Sequence, residues 1–293
     1  MMERNDWKVN VLTAAFLGLI QGLAEFLPIS SSGHLNLFQA LLGVNVGNQL
    51  LFNILLHVGT LAAVAIVFWK DWVQMIAHPI KNQTLLLLFI ASLPALAAKV
   101  IFNDQLAVIE NTNRFLGVFF LGTALLLVLT QWLSGRHQAL GNEKTQVGIP
   151  AALAMGCMQA VGMLPGISRS GSTIFGGVAA RLNRETAAKF SFMMSAPAIV
   201  GSLLSEGKDA LAEGLSLGGD LPAILVGMAV AGVSGYLAIR FFLKLLSKAT
   251  LNGFALYMAL LGILVIILQA TGVMSDAPAG AQEAAQALKG LLG

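Results

Sequence analysis

Long apolar runs alternate with short polar breaks along this chain, and the lengths of the runs decide the architecture. Runs near residues 49 to 69, 84 to 103, 115 to 134, 186 to 204, 222 to 243 and 252 to 270 each approach the roughly 20 apolar residues that carry a helix across a bilayer. They predict six full transmembrane helices. Two further stretches, 9 to 28 and 148 to 165, run into serine turns, ISSSGH at 29 to 34 and ISRSGS at 167 to 172. The pieces that follow, 33 to 43 and 171 to 182, are too short to span. A helix that enters, breaks and returns to the same face is the economical reading, because non-helical backbone at membrane depth must be satisfied by protein or a wet cavity. The pattern predicts an all-α polytopic integral membrane protein with six spans and two re-entrant helical hairpins.

The two hairpins are related. At an offset of 138, residues 9 to 33 align with 147 to 171, and eight of the 25 positions are identical, among them Gln21/Gln159, Ile29/Ile167, Ser30/Ser168, Ser32/Ser170 and Gly33/Gly171. Three spans separate the hairpins, so the second enters from the opposite face. The chain therefore reads as one membrane domain, 1 to 293, with inverted repeats at about 9 to 134 and 147 to 270. Such repeats characteristically build a central site from broken helices. A polar tail, 272 to 293, lies outside the pattern, and its alanine-rich part allows a short surface helix.

Composition agrees: 57% of the residues are hydrophobic and 11% charged, against roughly 25% charged in soluble domains. The net charge of +3 is modest, and no basic run suggests nucleic acid. The single cysteine, Cys157, excludes an intramolecular disulfide and reads as a small core residue. The acid and base mixture at Glu3, Arg4, Asp6 and Lys8 is unlike a secretory signal, so this segment is expected to stay in the mature protein. Counting crossings puts ten of the seventeen basic residues on the face opposite the N-terminus, including Lys70, Arg136, Lys144, Arg181, Arg184 and Lys189. By the positive-inside rule both termini then lie outside the cytoplasm.

Within the apolar region the polar residues gather at the turns: Gln21, Glu25, Ser30, Ser31, Ser32 and His34 in the first, Ser168, Arg169, Ser170, Ser172 and Thr173 in the second. An ionisable residue at mid-depth is a functional candidate by default. Gln21 and Glu25, four apart, share a helical face leading into the first turn. A carboxylate there can ligate Mg²⁺ or Ca²⁺, act as a base, or simply pair with Arg169. His34 can serve as acid, base or transient phosphate acceptor. His57, His78 and His137 lack such neighbours and read as structural. In the second turn, Gly171 permits close backbone approach, and the helix starting near Ser170 to Thr173 offers N–H groups that favour phosphate. Arg169 adds a planar fork suited to phosphate oxygens. Serines at a helix start are equally well read as caps. One turn thus offers activation and the other anion binding, a division that suits attack on a phosphate.

QGLAEFLPISSSGH and PGISRSGST resemble the two signature motifs of the undecaprenyl pyrophosphate phosphatases linked to bacitracin resistance, and the helix plan matches over about residues 9 to 270. The resemblance implies a multi-pass enzyme of the bacterial inner membrane, with its site open to the periplasm. Its substrate would be a polyprenyl pyrophosphate lipid of the surrounding membrane, hydrolysed to the monophosphate and orthophosphate to recycle a carrier for peptidoglycan and other envelope polymers. It further implies a divalent cation, Mg²⁺ or Ca²⁺, at Glu25 and Gln21. Glu25, Ser31, His34 and Arg169 would be catalytic, and Gln21, Ser30, Ser168, Ser170, Gly171, Ser172 and Thr173 would bind substrate. Gln21 stands where many members carry glutamate, which would leave Glu25 more of the metal binding. The nucleophile stays open among Ser31, His34 and water, and a homodimer is an open expectation. The rival reading is a transporter or flippase of prenyl phosphates or another anion, since inverted repeats also build carriers. A purely structural scaffold leaves the polar residues at mid-depth unexplained.

Overall fold

The computed structural model describes residues 10–42, 49–78, 82–110, 112–212, 221–246 and 249–274. Helix α1 (Val11–Phe26) starts behind Asn10, whose side chain accepts a hydrogen bond from the Thr13 N–H at 2.8 Å, satisfying one of the free donors of the first turn. It stops one residue before Pro28, where the preceding residue is pushed out of helical geometry. After a short turn, α2 (Ser31–Leu42) runs back. The second hairpin repeats the plan with α8 (Ile149–Val161), which opens with Pro150 in its first turn, and α9 (Arg169–Ala179). At 16 and 13 residues, α1 and α8 rise only about 20 to 24 Å at 1.5 Å per residue. Both are apolar but shorter than the helices long enough to cross a membrane.

Between and after the hairpins lie α3 (Gln49–Val67), α4 (Trp69–Ala77), α5 (Thr84–Ile101), α6 (Asn103–Glu110), α7 (Leu116–Ala139), α10 (Arg184–Ala212), α11 (Leu221–Leu246) and α12 (Asn252–Ala270). Among the described residues, α5, α7, α10, α11 and α12 are long and apolar enough to cross a membrane. The run at 49 to 69, expected as one of six full spans, continues past Phe68 into α4 with a 73° bend; the pair counts as the sixth span only if taken together. Residues such as Phe89, Leu125, Leu237 and Leu260 are more than half exposed, which is the surface a lipid-facing helix presents. The N-terminal charges and the tail from 275 onward lie outside the described residues.

The packing exchanges partners between the two halves: α1 lies along α11 and α8 along α5, while α7 and α12 pack on each other. Small residues permit this closeness. A side-chain carbon added at Gly18 would sit 2.2 Å from the Gly227 carbonyl oxygen, and one at Gly156, the aligned position, 2.3 Å from that of Ala91. Loops join at two ends. At one, Lys189 pairs with Asp71 at 2.7 Å, Arg184 donates to Gln131 and to the Ala249 carbonyl, and Lys144 bridges to Leu182. At the other, Gln269 donates to the Asn113 carbonyl at 2.6 Å. The hairpin turns meet between these ends.

Candidate active site

The first turn is held by its own polar groups. Ser30 takes a left-handed φ of 70°, which costs a non-glycine residue of order 1–2 kcal/mol. Bonds on three sides hold it there: its hydroxyl accepts from the Gly33 N–H at 3.3 Å, and its carbonyl accepts from the His34 N–H and from His34 Nδ1, the latter at 2.8 Å. A ring nitrogen facing a carbonyl must carry the proton, so Nε2 of neutral His34 is an acceptor, and it accepts from the Tyr257 hydroxyl at 2.7 Å. The ring is almost fully buried and packs against Tyr257 and Phe120. Both nitrogens of His34 are therefore engaged in holding the turn.

The second turn is pinned from outside. The Thr123 hydroxyl of α7 donates to the Gly166 carbonyl and accepts from the Ser168 N–H, both at 2.9 Å. Gly166 sits at φ 101°, where a side chain would be strained. Ser168 caps α9 by accepting from the Gly171 N–H at 3.1 Å, and its hydroxyl lies 3.2 Å from that of Ser170. Ser170 reaches across to the Leu27 carbonyl of the first hairpin. Thr173 donates to the Arg169 carbonyl and lies 2.6 Å from the Ser191 hydroxyl of α10. Of the hydroxyls expected to bind substrate here, that of Ser172 is buried and without a partner.

Glu25, at the end of α1, joins the turns. One carboxylate oxygen accepts from Arg169 Nη2 at 2.5 Å across 144 positions of sequence. The other accepts from Ser31 at 2.6 Å and from Gln21 Nε2 at 3.0 Å. The Glu25 side chain is 4% exposed and that of Arg169 19%, so this is a buried pair that opens on one side. Gln21 Oε1 and Arg169 Nη1 are buried with no hydrogen-bond partner; unfilled groups of this kind call for a ligand. The arrangement can take a proton from Ser31 through Glu25. It can also hold an anion between the free Arg169 nitrogen and the N–H groups at the start of α9.

The structure brings Gln21, Glu25, Ser31 and Arg169 into one hydrogen-bonded cluster, with Ser170 reaching the first hairpin, whereas Ser32 is exposed and His34 turns to Tyr257. Cys157, which the sequence reads as a core residue, is also exposed, and His57 gains a neighbour that the sequence does not show. His57, taken as structural, comes from α3 to place Nε2 3.8 Å from the same Glu25 oxygen that Ser31 contacts. Tyr257, Thr123 and Ser191 also belong to the site, and only tertiary packing reveals them. Among the described residues no group of three His, Cys, Asp or Glu side chains could cage a metal ion. The oxygens of Glu25 and the unpartnered Gln21 Oε1 suit a hard cation in one mode, with one carboxylate and the remaining ligands from phosphate and water.

The model of the bacitracin resistance protein BacA family matches residues 14–264. An undecaprenyl-diphosphatase from Halothermothrix orenii is 40% identical over 261 residues, covering 89% of this chain and 98% of the relative. Another from Carboxydothermus hydrogenoformans is 38% identical over 265 residues, covering 90% and 99%. A third, from Methanosphaera stadtmanae, is 35% identical over 281 residues, covering 89% and 98%. With both serine turns and all but the last few residues of the final span inside the matched region, the chain belongs to the BacA bacitracin resistance family.

Proposed function

We infer that this protein is an undecaprenyl-diphosphatase, which hydrolyses undecaprenyl pyrophosphate to undecaprenyl phosphate and orthophosphate and thereby confers bacitracin resistance. The observation that carries the reading is Glu25 itself, with Ser31 at 2.6 Å on one oxygen and Arg169 at 2.5 Å on the other. A site that only bound an anion would need the arginine but not a hydroxyl shared with a buried carboxylate.

The terminal phosphate lies between the turns. The free Nη1 of Arg169 and the N–H groups at the start of α9 take up its negative charge, which builds on the equatorial oxygens during transfer. Ser31 Oγ attacks phosphorus and its proton moves to Glu25. The bond to the bridging oxygen breaks and undecaprenyl phosphate leaves. Water then attacks the phosphoserine; Oγ recovers its proton from Glu25 and orthophosphate departs. His34, with both nitrogens engaged, holds the turn that presents Ser31. Glu25 and Gln21 Oε1 would hold Mg²⁺ or Ca²⁺ together with phosphate oxygens, and the cation would supply further charge neutralisation.

The exchanged packing of α1 on α11 and α8 on α5 supports the inverted-repeat topology. The basic side chains gathered at the Lys189 and Arg184 end support an inner-membrane orientation with that end in the cytoplasm. The first hairpin then opens to the periplasm.

The test is release of phosphate from a prenyl diphosphate by the purified protein in detergent, where no transport is possible. Release that needs Mg²⁺ or Ca²⁺ and disappears in Ser31→Ala and Glu25→Gln is the expected result. No release from the unaltered protein, with prenyl phosphate still bound through Arg169, would overturn the enzyme in favour of a carrier.

A further inference from the structure

Two histidines approach the first turn in the same way and end differently. Each uses Nδ1 on a carbonyl four residues back, His34 on Ser30 and His57 on Asn53, both at 2.8 Å. In the neutral ring that bond puts the proton on Nδ1 and leaves an unshared pair on Nε2. In His34 the pair accepts from Tyr257 in a buried pocket. In His57, Nε2 has no hydrogen bond among the described residues; the Glu25 oxygen at 3.8 Å is beyond bonding distance, and the side chain is 33% exposed. Ser31 contacts this same oxygen at 2.6 Å. The free nitrogen and the serine hydroxyl thus converge on one point from α3 and α2, with one carboxylate oxygen between them.

We propose that His57 is a catalytic residue of the second half-reaction, orienting the water that attacks phosphoserine 31 by accepting its hydrogen bond at Nε2. The proposal rests on the serine reading above. Phosphoryl transfer asks little covalent chemistry of the protein and much positioning, and His57 stands where a water approaching a phosphate on Ser31 needs an acceptor. The exposed edge of the ring provides the path by which water arrives. In the step, the water oxygen bonds to phosphorus and the phosphorus–Oγ bond breaks. One water hydrogen leaves with the phosphate, the other is shed from it to solvent, and Oγ takes back the proton held by Glu25. Glutamine can present an acceptor from the same position, whereas leucine cannot.

The experiment compares His57→Leu and His57→Gln with the unaltered protein in detergent, using a radiolabelled prenyl diphosphate, with binding of a prenyl methylene-bisphosphonate as the second readout. The expected result for His57→Leu is a loss of turnover of about a hundredfold, analogue affinity within threefold of the unaltered protein, and label accumulating on Ser31 by peptide mass. His57→Gln is expected to recover at least a tenth of the turnover without accumulating label. Full turnover in His57→Leu, loss of analogue binding, or lost turnover with no label on Ser31 would each overturn the role. An inactive unaltered protein would instead remove the phosphatase reading on which the role depends.

Discussion

Glu25 and Arg169 carry opposite charges where neither is stable alone, and the consequence can be measured separately from catalysis. Removing one partner of a buried ion pair costs about 3–5 kcal/mol, because the other charge is left unpaired. Arg169→Met is therefore expected to abolish phosphate release and to lower markedly the temperature at which the detergent-solubilised protein stops eluting as a single species. The double variant Glu25→Gln with Arg169→Met should recover most of that temperature while staying inactive. Equal losses in the single and double variants would show that the pair does not govern stability. Both charges stood out in the sequence, since ionisable side chains at membrane depth are rare enough to be read without a structure. His57 did not, because it sits within an apolar run and its meaning comes from where α3 meets α1. His34 shows the converse. The motif locates it, but the direction of its ring, toward Tyr257 and not toward Glu25, is set by packing that no spacing encodes.

Among the elements, the runs and hairpins were legible because hydrocarbon imposes a length on each helix. The bend at Phe68 was not. No proline or glycine marks it, and the chain turns where Trp69, Lys70, Asp71 and Trp72 bring the aromatic and charged side chains that favour a membrane surface. The close pairing of α1 with α11 was also out of reach, although its cause is the missing side chains of Gly18 and Gly22, which lie against the Gly227 and Ala231 carbonyls. With the Gly227 carbonyl so near, Gly18→Ala is expected to force the helices apart, lowering both the melting temperature in detergent and the yield of folded protein. Gly135 in α7 has nothing within 4 Å of the same added carbon. There the gain in helix propensity dominates, and Gly135→Ala should stabilise by about 0.5–1 kcal/mol. Equal behaviour of the two variants would contradict the packing described for α1 and α11.

For the whole molecule, topology is the property that one labelling series decides. In a background with Cys157 replaced by serine, a cysteine at exposed Asp104 on α6 should react with an impermeant maleimide in intact spheroplasts. One at exposed Gln138, near the end of α7, should react only after the membrane is opened; the reverse pattern would invert the orientation. The ion pair between the turns also has a consequence in time. Glu25 enters the membrane with the first hairpin, but its partner is synthesised 144 residues later, on the order of ten seconds at about 5–20 residues per second. A nascent first half therefore carries an uncompensated carboxylate. That charge gains its partner only when the second hairpin has been made, so the contact that joins the two turns also marks the completion of biogenesis.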